Sequence, residues 1–247
     1  NNAIRELEHA ERREVIRILK ELTNTIRLAL PELNIAFSFL ARLDFIRAKA
    51  KMALELGAVK PIFINQPALH WQQAKHPVFS GPNAGGKSVC LKTVGLLQYM
   101  LQNGLLIPLA DYSTAGVFNN ILLDIGDQQS IENDLSTYSS HLQNMKLFLQ
   151  QANQHSLVLM DELGSGTDPN FGGAIAEVIL QELVKRKVWG VATTHYYNLK
   201  LFAANASGIK NGAMRFDEKI LKPLYQLEIG KPGSSFALEI AKNIGLP

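Results

Sequence analysis

Eight consecutive residues, Gly81-Pro82-Asn83-Ala84-Gly85-Gly86-Lys87-Ser88, constrain this chain more than any other stretch. A glycine, four free positions and Gly-Lys-Ser is the spacing of a phosphate loop, and a helix-like run follows it. The glycines let the backbone turn tightly and aim N–H groups at phosphate oxygens. Lys87 is placed to reach the β- and γ-phosphates, and Ser88 to offer its hydroxyl to Mg²⁺. The expected nucleotide cradle is therefore Gly81, Pro82, Asn83, Ala84, Gly85, Gly86, Lys87, Ser88 and Val89. A glycine-rich turn before a helix is the plainer reading of the same letters, and two features downstream argue against it.

The first is Leu157-Val158-Leu159-Met160-Asp161-Glu162, an apolar run ending in two acids. Two adjacent carboxylates at the end of a buried strand are costly unless a cation is near. Asp161 is placed to hold Mg²⁺ beside Ser88, and Glu162 to polarise the water that attacks a γ-phosphate. The second is His195, which comes after Val191-Ala192-Thr193-Thr194, another strand-like run. Ligands of parallel sheets gather at the carboxyl ends of the strands, so His195 reads as a sensor of phosphate or water.

Two loops carry weaker signals. Gly164-Ser165-Gly166-Thr167-Asp168-Pro169 is a tight connection into a helix, with Asp168 or Thr167 as its cap. Ser136-Thr137-Tyr138-Ser139-Ser140-His141 opens an amphipathic run through Leu142, Met145 and Leu149. So many hydroxyls at a helix N-terminus exceed what capping uses and suit an anion. A nucleotide held by a neighbouring subunit is the sharper reading of Ser136.

Composition narrows the class without naming a partner. The net charge of +3 is carried by residues 1–60, where eleven Lys/Arg face eight Asp/Glu; the rest holds 14 of each. A solvated helix face explains that excess more simply than a nucleic-acid footprint. No apolar run reaches the ~18 residues of a membrane span. The first residues are charged and unlike a secretory leader, and the absence of an initiator Met suggests a piece of a longer chain. The lone Cys90 excludes an internal disulfide, suits a reducing cytoplasm, and reads as a packing residue rather than a regulatory thiol.

Periodicity predicts the elements. Val15, Ile18, Leu19, Leu22 and Ile26 lie at helical spacing in a helix expected from Ala3 to about Leu30, broken by Pro31. A second helix is expected from near Glu32 to Gly57. The pair reads as a lever or hairpin, or equally as two helices packed on the next domain. Residues 58–79 read as an irregular connection. Helices are expected over Lys87–Asn103 and Phe171–Arg186, strands over His155–Asp161 and Val188–Thr194, and this alternation signals parallel βαβ construction. Met214–Phe216 and Leu224–Leu227 are expected to pair as a hairpin, and Ser235–Asn243 to form a last helix. One junction does not fit: only Pro77-Val78-Phe79 stands before Ser80-Gly81, too short for the strand a phosphate loop leaves. A segment is expected to be missing between about Val78 and Ser80.

Taken together, Gly-Pro-Asn-x-Gly-Gly-Lys-Ser, Ser136-Thr137, Asp161-Glu162 and Thr193-Thr194-His195 resemble the MutS DNA mismatch-repair ATPases, relatives of the ABC ATPases. Finer features resemble the second bacterial type of MutS: Asp124 to Ile131, Leu135 to His141, Gly166-Thr167-Asp168-Pro169, and Pro232 to Ala237 with Gly245-Leu246-Pro247. The resemblance covers essentially the whole chain. It implies an α/β fold with a phosphate-loop sheet of the ABC and MutS kind flanked by helices. It further implies a helical lever at 1–60, a connector at 61–79 and an ATPase domain at 80–247.

By resemblance, ATP or ADP with Mg²⁺ is the cofactor and the working unit is a homodimer. Lys87, Ser88, Asp161 and Glu162 then come from one subunit and Ser136 from the other, touching the γ-phosphate. ATP closes the dimer, and hydrolysis opens a clamp on branched DNA or stalled ribosomes. Nuclease or nucleic-acid-binding character belongs, in this family, to a C-terminal domain absent from residues 1–247. The leading expectation is a cytoplasmic Mg²⁺-dependent ATPase with no membrane partner. The alternative is a nucleotide-gated DNA-binding scaffold with little hydrolysis. A transporter ATPase ranks last, because the leucine-and-serine signature followed by Gly-Gly-Gln is missing.

Overall fold

The computed structural model describes residues 2–77, 86–125, 134–217 and 222–231. The chain divides into two units, Asn1–Leu54 and Glu55–Pro247. The first is helical: α1 (Asn2–Leu28) and α2 (Leu30–Leu56) meet at the single residue Ala29. The break falls two residues before Pro31 rather than at it. Proline lacks an N–H, but the first turn of a helix has no partner for that group anyway, so Pro31 is accommodated inside α2. The α2 ladder starts instead with the Leu33 N–H donating to the Ala29 carbonyl at 3.0 Å. One joining residue is shorter than the loop of about 2–5 residues an antiparallel helix pair uses. The apolar stripe of α1 is real but uncovered: Val15, Ile18, Leu19, Leu22 and Ile26 are all exposed, and the helix buries no residue.

The second unit is mixed α/β, and what organises it is a short, fully buried strand. Strands β1 (Ile62–Phe63), β2 (Leu69–His70) and β3 (Thr114–Ala115) form a small sheet in the order β1-β3-β2. The stretch 58–79, expected to be irregular, thus contributes two strands. They are two residues long, below the length at which alternation can be read. Helix α3 (Lys87–Gln102) comes directly after Gly86, and strand β4 (Asn120–Asp124) pairs in parallel with β5 (Ser156–Met160). Helix α4 (Asp134–Gln151) joins those strands, and α5 (Pro169–Lys185) joins β5 to β6 (Trp189–Ala192), again in parallel. The order β4-β5-β6 matches the sequence order, as two successive βαβ units produce.

Every residue of β5 is buried, which parallel strands covered on both faces require. Alternation divides its side chains. Leu157 and Leu159 pack with Leu91 of α3 and with Phe118. Val158 and Met160 pack with Met145 and Phe148 of α4, Ile179 and Leu183 of α5, and Leu199. Leu199 lies on α6 (Tyr197–Asn205). Burying such a side chain is worth about 1.5–3 kcal/mol, so this strand anchors the helices on both sides. Trp189 meets Phe118 and His70 edge-on, with ring centres 6.0 and 6.2 Å apart.

The remaining elements are the antiparallel strands β7 (Gly212–Asp217) and β8 (Lys222–Ile229), with Met214 opposite Leu227. The expected hairpin is present, although Glu218 and Lys219 of its turn lie outside the described residues. The expected helix at 235–243, the motifs between 126 and 133 and the closing stretch from Pro232 also lie outside them, as does the junction at 78–80. Among the described residues no helix is long and apolar enough to cross a membrane.

Candidate functional site at the strand ends

The carboxyl ends of β4, β5 and β6 finish level with one another. Asp124 pairs with Met160, and Met160 with Ala192. The next residues, Asp161-Glu162 from β5 and Thr193-Thr194-His195 from β6, therefore emerge along one edge. Asp161 is half-buried, while Glu162 and His195 are exposed. The backbone of Glu162 is left-handed, with φ +48°, a conformation that costs a non-glycine residue about 1 kcal/mol or more. It turns the chain sharply away from the strand.

Thr193 fastens this turn. Its hydroxyl donates to Asp161 Oδ1 at 2.5 Å and accepts the Glu162 N–H at 2.8 Å. Its N–H donates to the Met160 carbonyl and its carbonyl accepts from the Leu163 N–H, each at 2.9 Å. Beyond the turn, the Tyr196 hydroxyl donates to the Gly164 carbonyl at 2.9 Å. A Cβ on Gly164, where φ is +90°, would stand 2.7 Å from the Gly172 carbonyl oxygen, so only glycine fits there. The loop then closes as expected: Asp168 accepts the Asn170 N–H at 2.9 Å and Pro169 is the first residue of α5.

Lys87 is the first residue of α3. The lysine is open to solvent, yet protein crowds it enough for desolvation, and then the charge of Lys200 on α6, to lower its pKa. Glu162 and Asp161 pull it the other way. Helix α3 starts at Gly86, whose φ of +72° is left-handed and which has no side chain to cap the helix. No acid stands in its first turn. The N–H groups of Lys87, Ser88 and Val89 are thus offered at a positive helix end beside a lysine, an arrangement suited to phosphate oxygens. Gly86 is also pinned from outside, because an added Cβ would lie 3.0 Å from the ring of Tyr225 and 3.2 Å from Met214. Gly81, Pro82, Asn83, Ala84 and Gly85 lie outside the described residues, as does the side chain of Ser136, two residues after the start of α4.

The donor set fits Mg²⁺ in the manner of a phosphate site. Among the described residues no cluster of three or more His, Cys, Asp or Glu could cage a metal. Mg²⁺ beside nucleotides needs no cage, since one or two protein oxygens with phosphates and water complete its shell. Asp161 and Ser88 carry the side-chain oxygens that would hold it. Cys90 is inert by the same logic, because burial pushes its thiol pKa up.

Several participants carry no role that the sequence assigns. Asp124 is buried, and its carboxylate takes the His141 Nδ1 and the Asn144 Nδ2, both at 2.8 Å. Its own carbonyl accepts the Asp161 N–H at 2.8 Å. A signal exists: Ile121-Leu122-Leu123-Asp124 repeats the apolar-run-then-acid pattern of β5 in shorter form. Lys200 and Tyr225 have no such signal, since each sits in an ordinary amphipathic stretch.

A parallel sheet with helices packed on both faces and an acid pair just past its central strand define a mixed α/β domain. A family model, MutS domain V, matches residues 77–247. Endonuclease MutS2 of Lactiplantibacillus plantarum is 44% identical over 268 positions, covering all of this chain and 34% of its own length. The proteins of that name from Geobacillus thermodenitrificans and Finegoldia magna are 45% and 42% identical over 267 positions, again over 34% of their lengths. The chain belongs to the MutS family, in its MutS2 branch. It spans about a third of the length of these relatives. The first alignment runs to 268 positions against 247 residues here, so at least 21 positions have no counterpart in this chain.

Proposed function

We propose that this chain is the nucleotide-driven part of a Mg²⁺-dependent ATP hydrolase acting as a homodimer. The observation that supports the reading is that Asp161 and Glu162 leave β5 along the same edge as Thr193 and His195 leave β6, while Gly86-Lys87-Ser88 opens α3 with the letters of a phosphate loop. Lys87 and the α3 N–H groups hold the β- and γ-phosphates, and Gly81 to Gly86 wrap them. Ser88 and Asp161 hold Mg²⁺, which supplies charge neutralisation at the phosphates. Glu162, turned out into solvent, orients the attacking water. His195 senses the γ-phosphate, and Ser136 reaches the nucleotide of the partner subunit. Phosphoryl transfer needs little covalent help from a protein, so positioning and charge suffice.

At the level of the whole molecule, residues 1–60 act as a lever, 61–79 as a connector and 80–247 as the ATPase domain. Nucleotide closure of the dimer moves a clamp on branched DNA, in recombination control and mismatch-repair-like work, or on stalled ribosomes. The relatives are named endonucleases, and no nuclease role is assigned to residues 1–247 in this reading. The setting is cytoplasmic and the partners include no membrane. A scaffold gated by nucleotide but hydrolysing little is the second reading, favoured by the 21 or more positions missing relative to a MutS2 protein.

ATP turnover of the full-length protein, measured alone, with four-way-junction DNA and with stalled ribosomes, tests the proposal. Stimulation by the junction places it on DNA, and stimulation by ribosomes places it in translation. Nucleotide binding without turnover in all three favours the scaffold. No nucleotide binding at all sinks both readings.

A further inference from the structure

The hydroxyl of Thr193, from just past β6, bonds both residues of the acid pair, the Asp161 carboxylate and the Glu162 N–H. The geometry points to Thr193 as the positioning residue of the acid pair, setting the Asp161 carboxylate toward the metal and holding Glu162 in its outward turn. The inference deepens the hydrolase reading and rests on it for the roles of the two acids.

Three observations carry it. One hydroxyl does two jobs, donating to Asp161 Oδ1 at 2.5 Å and accepting the Glu162 N–H at 2.8 Å. A hydroxyl has one proton to give and lone pairs to receive, so both bonds form at once. The first occupies Oδ1, fixes the carboxylate plane and leaves Oδ2 as the oxygen for a cation. Second, the N–H it accepts belongs to the residue with the unusual backbone, φ +48°. A left-handed turn at a glutamate persists when its surroundings hold it, and the Thr193 hydroxyl is one of those holds. Third, Thr193 is itself immobilised, with its N–H and carbonyl bonded to Met160 and Leu163 on either side of the acids. The four bonds tie Thr193 to four consecutive residues, 160 to 163. Groups that orient a metal-binding carboxylate from behind typically change metal affinity or activity about tenfold to a hundredfold when removed.

The test replaces Thr193 with valine, which keeps the shape and loses the hydroxyl, and with serine, which keeps the hydroxyl. Two measurements on the full-length protein run in parallel: Mn²⁺ affinity of the complex with a non-hydrolysable ATP analogue, by electron paramagnetic resonance, and steady-state ATP turnover. For Thr193→Val, Mn²⁺ binding should weaken about tenfold or more and kcat should fall similarly, with metal-free nucleotide affinity within about twofold of wild type. Thr193→Ser should restore both. Thr193→Ala, a second hydroxyl-free variant, repeats the test should valine disturb the fold, which the melting midpoint reports. Unchanged Mn²⁺ affinity and turnover in both hydroxyl-free variants, or equal losses in valine and serine, would overturn the inference while leaving the hydrolase reading intact. If the wild type binds Mn²⁺–nucleotide but never turns over, the hydrolase reading fails and the Mn²⁺ comparison still decides the role of Thr193.

Discussion

Two neighbouring strands end in an aspartate, and the two aspartates live differently. Asp124, at the end of β4, is 7% exposed and has both oxygens engaged by side chains of α4. Asp161, one residue past the end of β5, is half-buried with one oxygen on Thr193. A buried carboxylate with both oxygens bonded to one helix fixes that helix, α4, to the sheet. Among the described residues Asp161 has one carboxylate oxygen bonded, to Thr193, and a second acid follows it directly in the chain. Two acids at neighbouring strand ends thus have different surroundings, one buried and bonded to α4, the other half-buried and bonded to Thr193.

Substitutions at the two ends should separate cleanly. The largest effect is expected on the β5 side. Glu162→Gln should cut turnover about a hundredfold or more while leaving nucleotide binding and the melting midpoint as they were; unchanged turnover would remove Glu162 from the chemistry. Lys87→Ala should abolish tight nucleotide binding, read by fluorescent-nucleotide titration, again at constant midpoint. On the β4 side the signature inverts. Asp124→Ala strands two donors and should cost about 1–3 kcal/mol in chemical denaturation, with turnover per folded molecule falling less than in Glu162→Gln. A large loss of turnover without loss of stability would break the distinction. Asp168→Ala, which removes the α5 cap, should cost about 1 kcal/mol and leave turnover near wild type. The smallest effect belongs to Arg17→Ala, whose ion pairs to Glu14 and Glu21 are solvent-exposed; no measurable shift in the melting midpoint is expected.

The same physics decides how much of this is legible in the sequence. β5 is legible because an unbroken apolar run ending in charge fits little besides a buried strand meeting a site. α3 and α5 are legible because their start signals, Gly86-Lys87 and Asp168-Pro169, are local. β4 escapes although its pattern matches, since five residues preceded by Phe118-Asn119 give a weak boundary. β1, β2 and β3 are too short to carry a period at all. Adjacency and spacing reveal the acids, whereas Thr193 hides: a threonine at a strand end is ordinary β-branched content, and nothing local says which side chain its hydroxyl will meet. The residues that support a site are chosen by tertiary register, which a single sequence does not spell out.

That register has a consequence for when the site exists. Asp161 and Thr193 stand 32 residues apart, with all of α5 between them, and the β4–β5 pairing spans a similar separation from Asn120 to Ser156. Contacts of such long range form late in folding, after the loop-closure entropy of each crossover has been overcome. A slip of one residue between β5 and β6 would carry the threonine hydroxyl to the opposite face. The glutamate's outward turn would lose its anchor, and the aspartate its orientation. The arrangement of the strand-end acids is therefore complete only when β6 stands in register against β5.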